Sequence, residues 1–347
     1  MIPVEIIFNP NWWHSNYGIC FDEHFYLDRQ TRIDSDVIMR KALYNRFGFG
    51  ESNPQPRPVL GSMMVAGGFV LPALFGVPIR FSNNEAPWPD GHPMSTAEIM
   101  ALTTPDLEHT WPMDVLLRDG ADLQNSFGSL IGDFDLDGMF NTALHLRGQQ
   151  LFVDLLDAPE LIHHLFSILS ETYIALVKLM RQLTGSCSIA TNRSIIQVNP
   201  AIFLHSNCSI CMVSPAVYEK TLLQYELSLA NQLQPYGIHH CGNNLHRFKS
   251  VYGRIPAEFF DVGWGSDVHQ CRQAWPNAFL NLRLSPVRML QNSASEIYQD
   301  TFGLLQAAGA PQKVGVCCIN MDAGTPDENI KEMIRAVSDY SKTIKEL

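Results

Sequence analysis

Short apolar runs alternate with amphipathic ones through the C-terminal half of the chain. The apolar runs predict strands over residues 195–198, 236–241, 258–262, 278–282 and 313–319. Between them, helices are predicted from Ser214, over 244–252, 267–274 and 293–308, and from Thr325-Pro326-Asp327-Glu328. Strands and helices alternating at this spacing indicate a parallel sheet of the α/β class. Several consecutive units favour a (β/α)8 TIM barrel over a doubly wound sheet, and no Gly-x-Gly-x-x-Gly follows a predicted strand.

The first half of the chain carries weaker strand signals. A long amphipathic helix is predicted over 159–183, announced by Asp157-Ala158-Pro159-Glu160, and a shorter helix over 33–47. The segment 55–93 is dense in proline and glycine, and the first fifty residues are rich in Trp and Tyr. We therefore expect a single barrel domain, 1–347, in which residues 1–95 form an aromatic-rich N-terminal extension that caps the barrel.

The composition narrows the class of partner. The 347 residues are 46% hydrophobic, enough for a large core, and the formal net charge is −11 without any Lys/Arg-rich run. This balance argues against nucleic acid and anionic membranes as partners. Neither a signal-peptide pattern nor an apolar run of membrane-spanning length occurs, so a cytoplasmic protein is expected. Its eight cysteines are then expected to be reduced thiols or metal ligands rather than disulfides.

The strongest chemical signal is a His-x-Cys pair near the end of one predicted strand. His239 and Cys241 are two residues apart, so their side chains point to the same side of the strand. Imidazole and thiolate are ligands that zinc prefers, and three protein ligands leave a catalytic zinc one open position. Cys317 and Cys318 end the last predicted strand, on the same active face of a barrel. Adjacent strand residues face opposite ways, so one of these two would be the third ligand.

Other residues at predicted strand ends, Arg283 among them, are candidates for the pocket. Asp261 and Asn207 are candidate catalytic residues, and Trp264 and Asn243 are candidates for binding the cofactor. His240, between the two expected ligands, should face away from them. The segment Cys208-Ser209-Ile210-Cys211 lacks the second Cys-x-x-Cys that a zinc ribbon needs. Ordinary buried cysteines are the favoured interpretation, with Cys208 as a pocket residue or fourth zinc ligand the alternative.

Several of these motifs resemble the uroporphyrinogen decarboxylase superfamily. They are His239-His240-Cys241-Gly242-Asn243, the closing Gly324-Thr325-Pro326-Asp327-Glu328-Asn329-Ile330, Asp157-Ala158-Pro159-Glu160 and Ser214-Pro215. The resemblance is clearest from about residue 132 onward and implies a (β/α)8 barrel. Decarboxylases of this superfamily carry an Arg-rich N-terminal segment, which this chain lacks.

The other branch of the superfamily contains corrinoid-dependent methyltransferases, whose zinc is held by His-x-Cys and a cysteine near the last strand. Resemblance to that branch implies the zinc ligands His239, Cys241 and Cys318, with Cys317 packed outward. It also implies methyl transfer between a small molecule (a thiol, a methoxy or methylamine compound, or a folate) and a corrinoid.

The corrinoid would arrive on a separate cobalamin-binding protein, since no corrinoid-binding motif occurs in this chain. The alternatives are a decarboxylase-like carboxy-lyase, a zinc-free pterin methyltransferase of the same superfamily, and a non-enzymatic sensor of a methyl donor, corrinoid or metal. The direction of transfer and the oligomeric state, a homodimer included, stay open.

Overall fold

The structure of the chain is a computed structural model that describes residues 2–61, 68–132, 134–186 and 194–345. Six strands form its main sheet, in the order β4-β5-β6-β7-β8-β1 and parallel throughout, and a two-residue antiparallel pair, β2 and β3, stands apart. The strands are β1 Val4–Phe8, β2 Ile79–Arg80, β3 Trp88–Pro89, β4 Phe203–Ser206, β5 Tyr236–His240, β6 Ala257–Val262, β7 Phe279–Arg283 and β8 Val314–Met321.

Helices connect these strands, as a barrel of βα units requires. They are α1 Pro10–Tyr17, α2 Glu23–Leu27, α3 Arg29–Phe47, α4 Val70–Leu74, α5 Thr96–Met100, α6 Met113–Phe127, α7 Met139–Arg147, α8 Gln150–Asp157, α9 Pro159–Thr184, α10 Ser194–Val198, α11 Pro215–Val217, α12 Leu223–Gln232, α13 Lys249–Tyr252, α14 Val268–Ala274, α15 Pro286–Gln291, α16 Ala294–Ala308 and α17 Asp327–Lys345. Within the described ranges, no helix has the length and apolar character needed to cross a membrane.

The strand register places the chemically active residues in rows. His239 lies beside Asp261, and Asp261 lies beside Asn281 on the next strand, while Arg283 lies beside Cys317. Because alternate residues of a strand share a face, these side chains belong to one face of the sheet, the barrel interior. The other face packs on the helices and forms the large apolar core.

Most predicted boundaries from residue 159 onward are confirmed, because their helix starts carry real caps. The Ser214 side chain accepts a hydrogen bond from the Val217 amide, and Ser293 forms a capping box with Glu296. The strand predicted over 195–198 is wrong: that run is helix α10, and the strand follows at Phe203–Ser206. A four-residue apolar run does not distinguish a strand from a helical turn, and here Ile195 is buried while Gln197 and Val198 are exposed.

The segment 1–95, predicted as a capping extension, begins with a strand of the main sheet. Val4–Phe8 pairs with β8 and is a strand of the main sheet. The aromatic residues that suggested a cap instead pack behind it, with Phe8 stacked on Trp12 at a ring-centroid distance of 3.8 Å and Trp13 fully buried nearby. The first residues of the chain are therefore part of the barrel wall.

Candidate metal centre

The site is built at the C-terminal ends of β4 and β5. Ser206 pairs with His239, and the Asn207 amide donates 2.8 Å to the His239 carbonyl, so the pairing continues past the end of β4. If this register is continued two residues beyond Ser206 and His239, Cys208 lies beside Cys241. His239 is buried and Cys241 is exposed, so the centre lies at the boundary between the barrel interior and solvent.

The predicted pair of His239 and Cys241 is brought together. Its Nε2 and Sγ atoms are 3.4 Å apart. Cys208 joins them, and the three donor atoms all lie within 4.8 Å of one another. The favoured interpretation of Cys208 and Cys211 as ordinary buried cysteines is wrong, because Cys208 is half-buried in this cluster and Cys211 is exposed.

Asp261 holds the imidazole from behind. The His239 Nδ1 atom donates to the Asp261 carboxylate at 2.6 Å, and Asn281 Nδ2 donates to the other carboxylate oxygen at 2.7 Å. A carboxylate accepts only, so Nδ1 carries the proton and Nε2 faces Cys241. Metal-binding histidines are oriented by carboxylates in this way. Asp261, predicted as a catalytic residue, contacts the metal-binding candidate His239 through this hydrogen bond.

Arg283 also enters the site, although its position at a predicted strand end led to no catalytic, cofactor-binding or metal role being expected for it. Its Nη1 donates to Cys241 Sγ at 3.0 Å and lies 3.3 Å from His239 Nε2, with the side chain buried. Burial would lower the pKa of Arg283, but Cys241, Cys317 and Asp261 raise it, so it stays charged. Its place at the end of a barrel strand was the available signal.

The pKa values of the three side chains in the cluster are shifted in different directions. A hydrogen bond from Cys208 and the charges of Arg283 and His239 outweigh burial and hold the pKa of Cys241 well below its ordinary value. The same hydrogen bond and burial raise the pKa of Cys208. Burial would lower the pKa of His239, but Cys241 and Asp261 raise it to about 9. A metal that bound here would therefore displace protons.

Cys317 and Cys318 fall on opposite faces of β8, and their orientations are the reverse of those expected. Cys317 accepts from Asn281 Nδ2 at 3.3 Å, on the side of the sheet that carries His239. Cys318 lies in the outer core, with its Sγ directed at the Leu284 carbonyl at 3.8 Å. The prediction that Cys317 packs outward is wrong. Cys317 is the register partner of Arg283, so its side chain shares the inner face of the sheet with Arg283. The structure does not bring Cys318 to His239 and Cys241.

Asn207, the second predicted catalytic residue, belongs to a different network. Its Nδ2 donates to Glu226 Oε2 at 3.1 Å, and the same carboxylate accepts from His205, Tyr218 and Tyr236 at 2.6–2.9 Å. This Glu226 network is buried between the strands and α12. Burial would raise the pKa of Glu226, but His205 and these hydrogen bonds lower it. Sequence reasoning missed Glu226 because a lone glutamate in a helix looks like a surface charge.

The remaining predicted residues lie around the opening. Asn243 is exposed, and Trp264 is half-buried with the Arg288 guanidinium 5.5 Å from its ring centroid. His240 faces away from the cluster, as predicted: its ring nitrogens meet Tyr252 Oη at 3.3 Å and Asn244 Oδ1 at 2.8 Å.

The donor set fits zinc. Tetrahedral zinc with its usual Zn–N and Zn–S bond lengths places a nitrogen and a sulfur ligand about 3.5 Å apart, close to the 3.4 Å between His239 Nε2 and Cys241 Sγ. One imidazole and two thiols are also the soft ligands that favour zinc over magnesium or calcium.

Comparison with known proteins agrees with this fold. The profile of the uroporphyrinogen decarboxylase (URO-D) family matches residues 62–340. A solved structure titled "methyltransferase from Methanosarcina mazei" has a TM-score of 0.66 at 15% identity, covering 98% of this chain and 94% of that one. The predicted (β/α)8 barrel is confirmed.

Two curated relatives are both named methylcobamide:CoM methyltransferase MtbA. They come from Methanosarcina acetivorans and Methanosarcina mazei and are 23% identical to this chain over 221 and 218 residues. Each alignment covers 61% of this chain and 58% of the relative, so this chain spans little more than half the length of the curated proteins it matches.

Proposed function

The chain belongs to the uroporphyrinogen decarboxylase family, and on that premise we propose that it is a zinc-dependent methyltransferase. It would move a methyl group between a corrinoid held by a partner protein and a small molecule. The names of the two relatives support a methylated cobamide as donor and a small thiol as acceptor. Of the four substrate classes expected from the sequence (thiol, methoxy compound, methylamine and folate), we therefore propose the thiol.

The observation that carries the proposal is the oriented pair of His239 and Cys241. Asp261 holds the imidazole through Nδ1 and so directs Nε2 toward Cys241 Sγ, 3.4 Å away. An imidazole nitrogen and a thiolate sulfur that face each other at a strand end are suited to binding one metal ion between them. Zinc bound there would lower the pKa of an incoming thiol and hold it as a thiolate nucleophile.

The chain's own residues would prepare that step. Asp261 accepts the hydrogen bond from His239 Nδ1 and so keeps the proton on that nitrogen. The other ring nitrogen, Nε2, faces the cluster and is free to bind metal. Arg283 donates to Cys241 Sγ and stabilises it as a thiolate. The corrinoid would supply the methyl group: a sulfur–carbon bond to the acceptor thiolate would form as the cobalt–carbon bond breaks, with that bond's electron pair left on the corrinoid.

The partner would dock on the face where the strands end. Exposed apolar side chains lie in segments that follow β4 and β7 there, namely Met212, Val287 and Leu290. Exposed apolar residues around a site mark contact with another molecule. They support delivery of the corrinoid by a separate protein over the open end of the barrel.

A second candidate, a decarboxylase, is favoured by Arg283 alone. A buried guanidinium at the centre of the site is also suited to a substrate carboxylate. Release of carbon dioxide from a polycarboxylate such as a porphyrinogen, with no dependence on zinc, would favour this function over methyl transfer.

The deciding experiment combines metal analysis with turnover. We expect about one zinc per purified chain, and zinc-dependent loss of the methylcobalamin spectrum when small thiols are supplied. Cys241→Ala should lose both, whereas Cys20→Ala, which changes an exposed cysteine near the N-terminus, should keep both. A chain that purifies without zinc, takes up none and still transfers methyl groups would contradict the proposal.

A further inference from the structure

We propose that Cys208 is a zinc ligand alongside His239 and Cys241, so that two adjacent strands, β4 and β5, hold the metal rather than β5 and β8. This inference rests on the proposed zinc centre and names a ligand that the His-x-Cys motif does not contain.

The register of the sheet supports Cys208 first. Ser206 and His239 are partners across β4 and β5, and the Asn207 amide donates to the His239 carbonyl at 2.8 Å. Neighbouring parallel strands lie about 4.8 Å apart. Cys208 and Cys241 therefore leave the two strands side by side.

The side-chain contacts agree with the register. The donor atoms of Cys208, His239 and Cys241 lie within 4.8 Å of one another, and the two thiols share a hydrogen bond. Two thiolates on tetrahedral zinc are about 3.7 Å apart, so the cluster needs little movement to bind the ion. Cys208 is half-buried and Cys241 is exposed, so the open position faces solvent.

The chain after Cys208 is held in place. The Ser209 amide donates to Asn141 Oδ1 at 2.9 Å, and Asn141 Nδ2 donates to Asp137 at 2.6 Å. These contacts fix the turn that carries Cys208 to the start of α7. A ligand supported in this way binds metal at a smaller cost in entropy.

The two cysteines of β8 are less suited to the role. Cys318 Sγ points into the outer core toward the Leu284 carbonyl. Cys317 is on the inner face, but it is fully buried and its Sγ accepts a hydrogen bond from Asn281. Among the described residues, the cysteine whose sulfur lies within 4.8 Å of both the His239 and the Cys241 donor atoms is Cys208.

Four serine variants test the assignment: Cys208→Ser, Cys317→Ser, Cys318→Ser and, as matched control, Cys211→Ser three residues from Cys208. The readouts are zinc affinity by chelator competition and the thiolate-to-cobalt charge-transfer absorption of the Co(II)-substituted protein. We expect Cys208→Ser to weaken zinc binding at least about 30-fold and to lose part of that absorption, in line with loss of one thiolate ligand. The other three variants should resemble wild type.

A wild-type measurement covers a variant that fails to fold. Bound zinc should protect Cys208 and Cys241 from alkylation by N-ethylmaleimide, and chelation should expose both, while Cys211 reacts in either condition. Unchanged affinity in Cys208→Ser, with loss in Cys317→Ser or Cys318→Ser, would overturn the inference and leave the zinc centre intact. A wild-type protein that never binds zinc would instead overturn the proposed function.

Discussion

Two polar networks occupy opposite faces of the same two strands. On the inner face, Cys208, His239 and Cys241 crowd their donor atoms within 4.8 Å. On the outer face, Glu226 accepts hydrogen bonds from His205, Asn207, Tyr218 and Tyr236. Both are built from residues of the kind that sequence reasoning associates with active sites.

The difference lies in how the polar atoms are satisfied. The Glu226 carboxylate is surrounded by donors, and His205 in turn accepts from the Met139 amide at 3.3 Å. The inner cluster has two thiols and an imidazole nitrogen arranged around one point, with Cys241 open to solvent. A satisfied buried network specifies and stabilises a fold, whereas converging lone pairs near solvent are suited to a ligand. The comparison assigns stability to Glu226 and chemistry to the inner cluster.

The largest expected effect comes from the inner cluster. Cys241→Ala removes a zinc ligand and should lower methyl transfer to a thiol at least about 1000-fold, since metal and reaction are lost together. The free energy of unfolding without metal should fall by only about 1–3 kcal/mol, because buried Arg283 loses one hydrogen-bond acceptor. Activity and zinc content are measured on the same preparation, beside urea denaturation with chelator present.

The second prediction concerns the outer network. Glu226→Ala leaves His205 and the tyrosine hydroxyls without their acceptor, so the free energy of unfolding should fall by about 3–5 kcal/mol. Zinc affinity of the folded fraction should stay within a few-fold of wild type. Glu219→Ala is the matched control, because Glu219 is exposed and its ion pair with exposed Arg254 is worth about 0–1 kcal/mol.

A Glu226→Ala protein with full stability and no zinc binding would reverse the roles given to the two networks. Urea denaturation and chelator competition on one preparation provide both numbers.

The third prediction tests whether Asp261 acts through His239. Asp261→Asn keeps the shape but loses the charged acceptor of the Nδ1 proton, and zinc affinity should fall about 10–100-fold. Asp267→Asn, an exposed helix cap that an asparagine also fills well, should leave affinity unchanged. Rescue of transfer at high zinc would show a positioning role; activity that stays lost at saturating zinc would show that Asp261 does more.

The smallest effect is in pH dependence. The pKa of Glu226 is lower in the folded protein than the ordinary 4.5, so the unfolded chain binds its proton first as pH falls. The resulting stability is fully present above about pH 4.5 and is lost as pH falls through the lower, folded pKa. Glu226→Gln should lose stability less steeply than wild type below pH 4.5 in urea titrations. Parallel curves for the two proteins would show that the carboxylate charge contributes nothing.

Sequence reasoning reached the inner cluster because its signals are local. Residues two apart on a strand share a face, and strand ends share the active side of a barrel, so the amino-acid pattern alone places His239, Cys241 and Asp261 together. The choice between Cys317 and Cys318 could not be made from the chain, since it depends on the register of β8 against β7. Resemblance favoured the residue that the register turns outward.

The outer network was beyond sequence reasoning for a different reason. Glu226 is a helical residue whose partners are 8 to 21 positions away, and nothing local distinguishes it from a solvated charge. Asn207 was predicted to face the pocket, yet its side chain bonds behind the strand. Similarly, the strand Val4–Phe8 was hidden by the aromatic residues after it, because a lone five-residue run does not reveal its partner β8.

The side-by-side exit of Cys208 and Cys241 from β4 and β5 has a consequence for how the protein folds. A metal bridging these two residues closes a loop of 241 − 208 = 33 residues, against 318 − 241 = 77 for a bridge to β8. Loop-closure entropy makes the shorter bridge about 0.7 kcal/mol easier to form. Zinc could then tie β4 to β5 while β8 is still unpaired, acting as an early organiser of one βαβ unit.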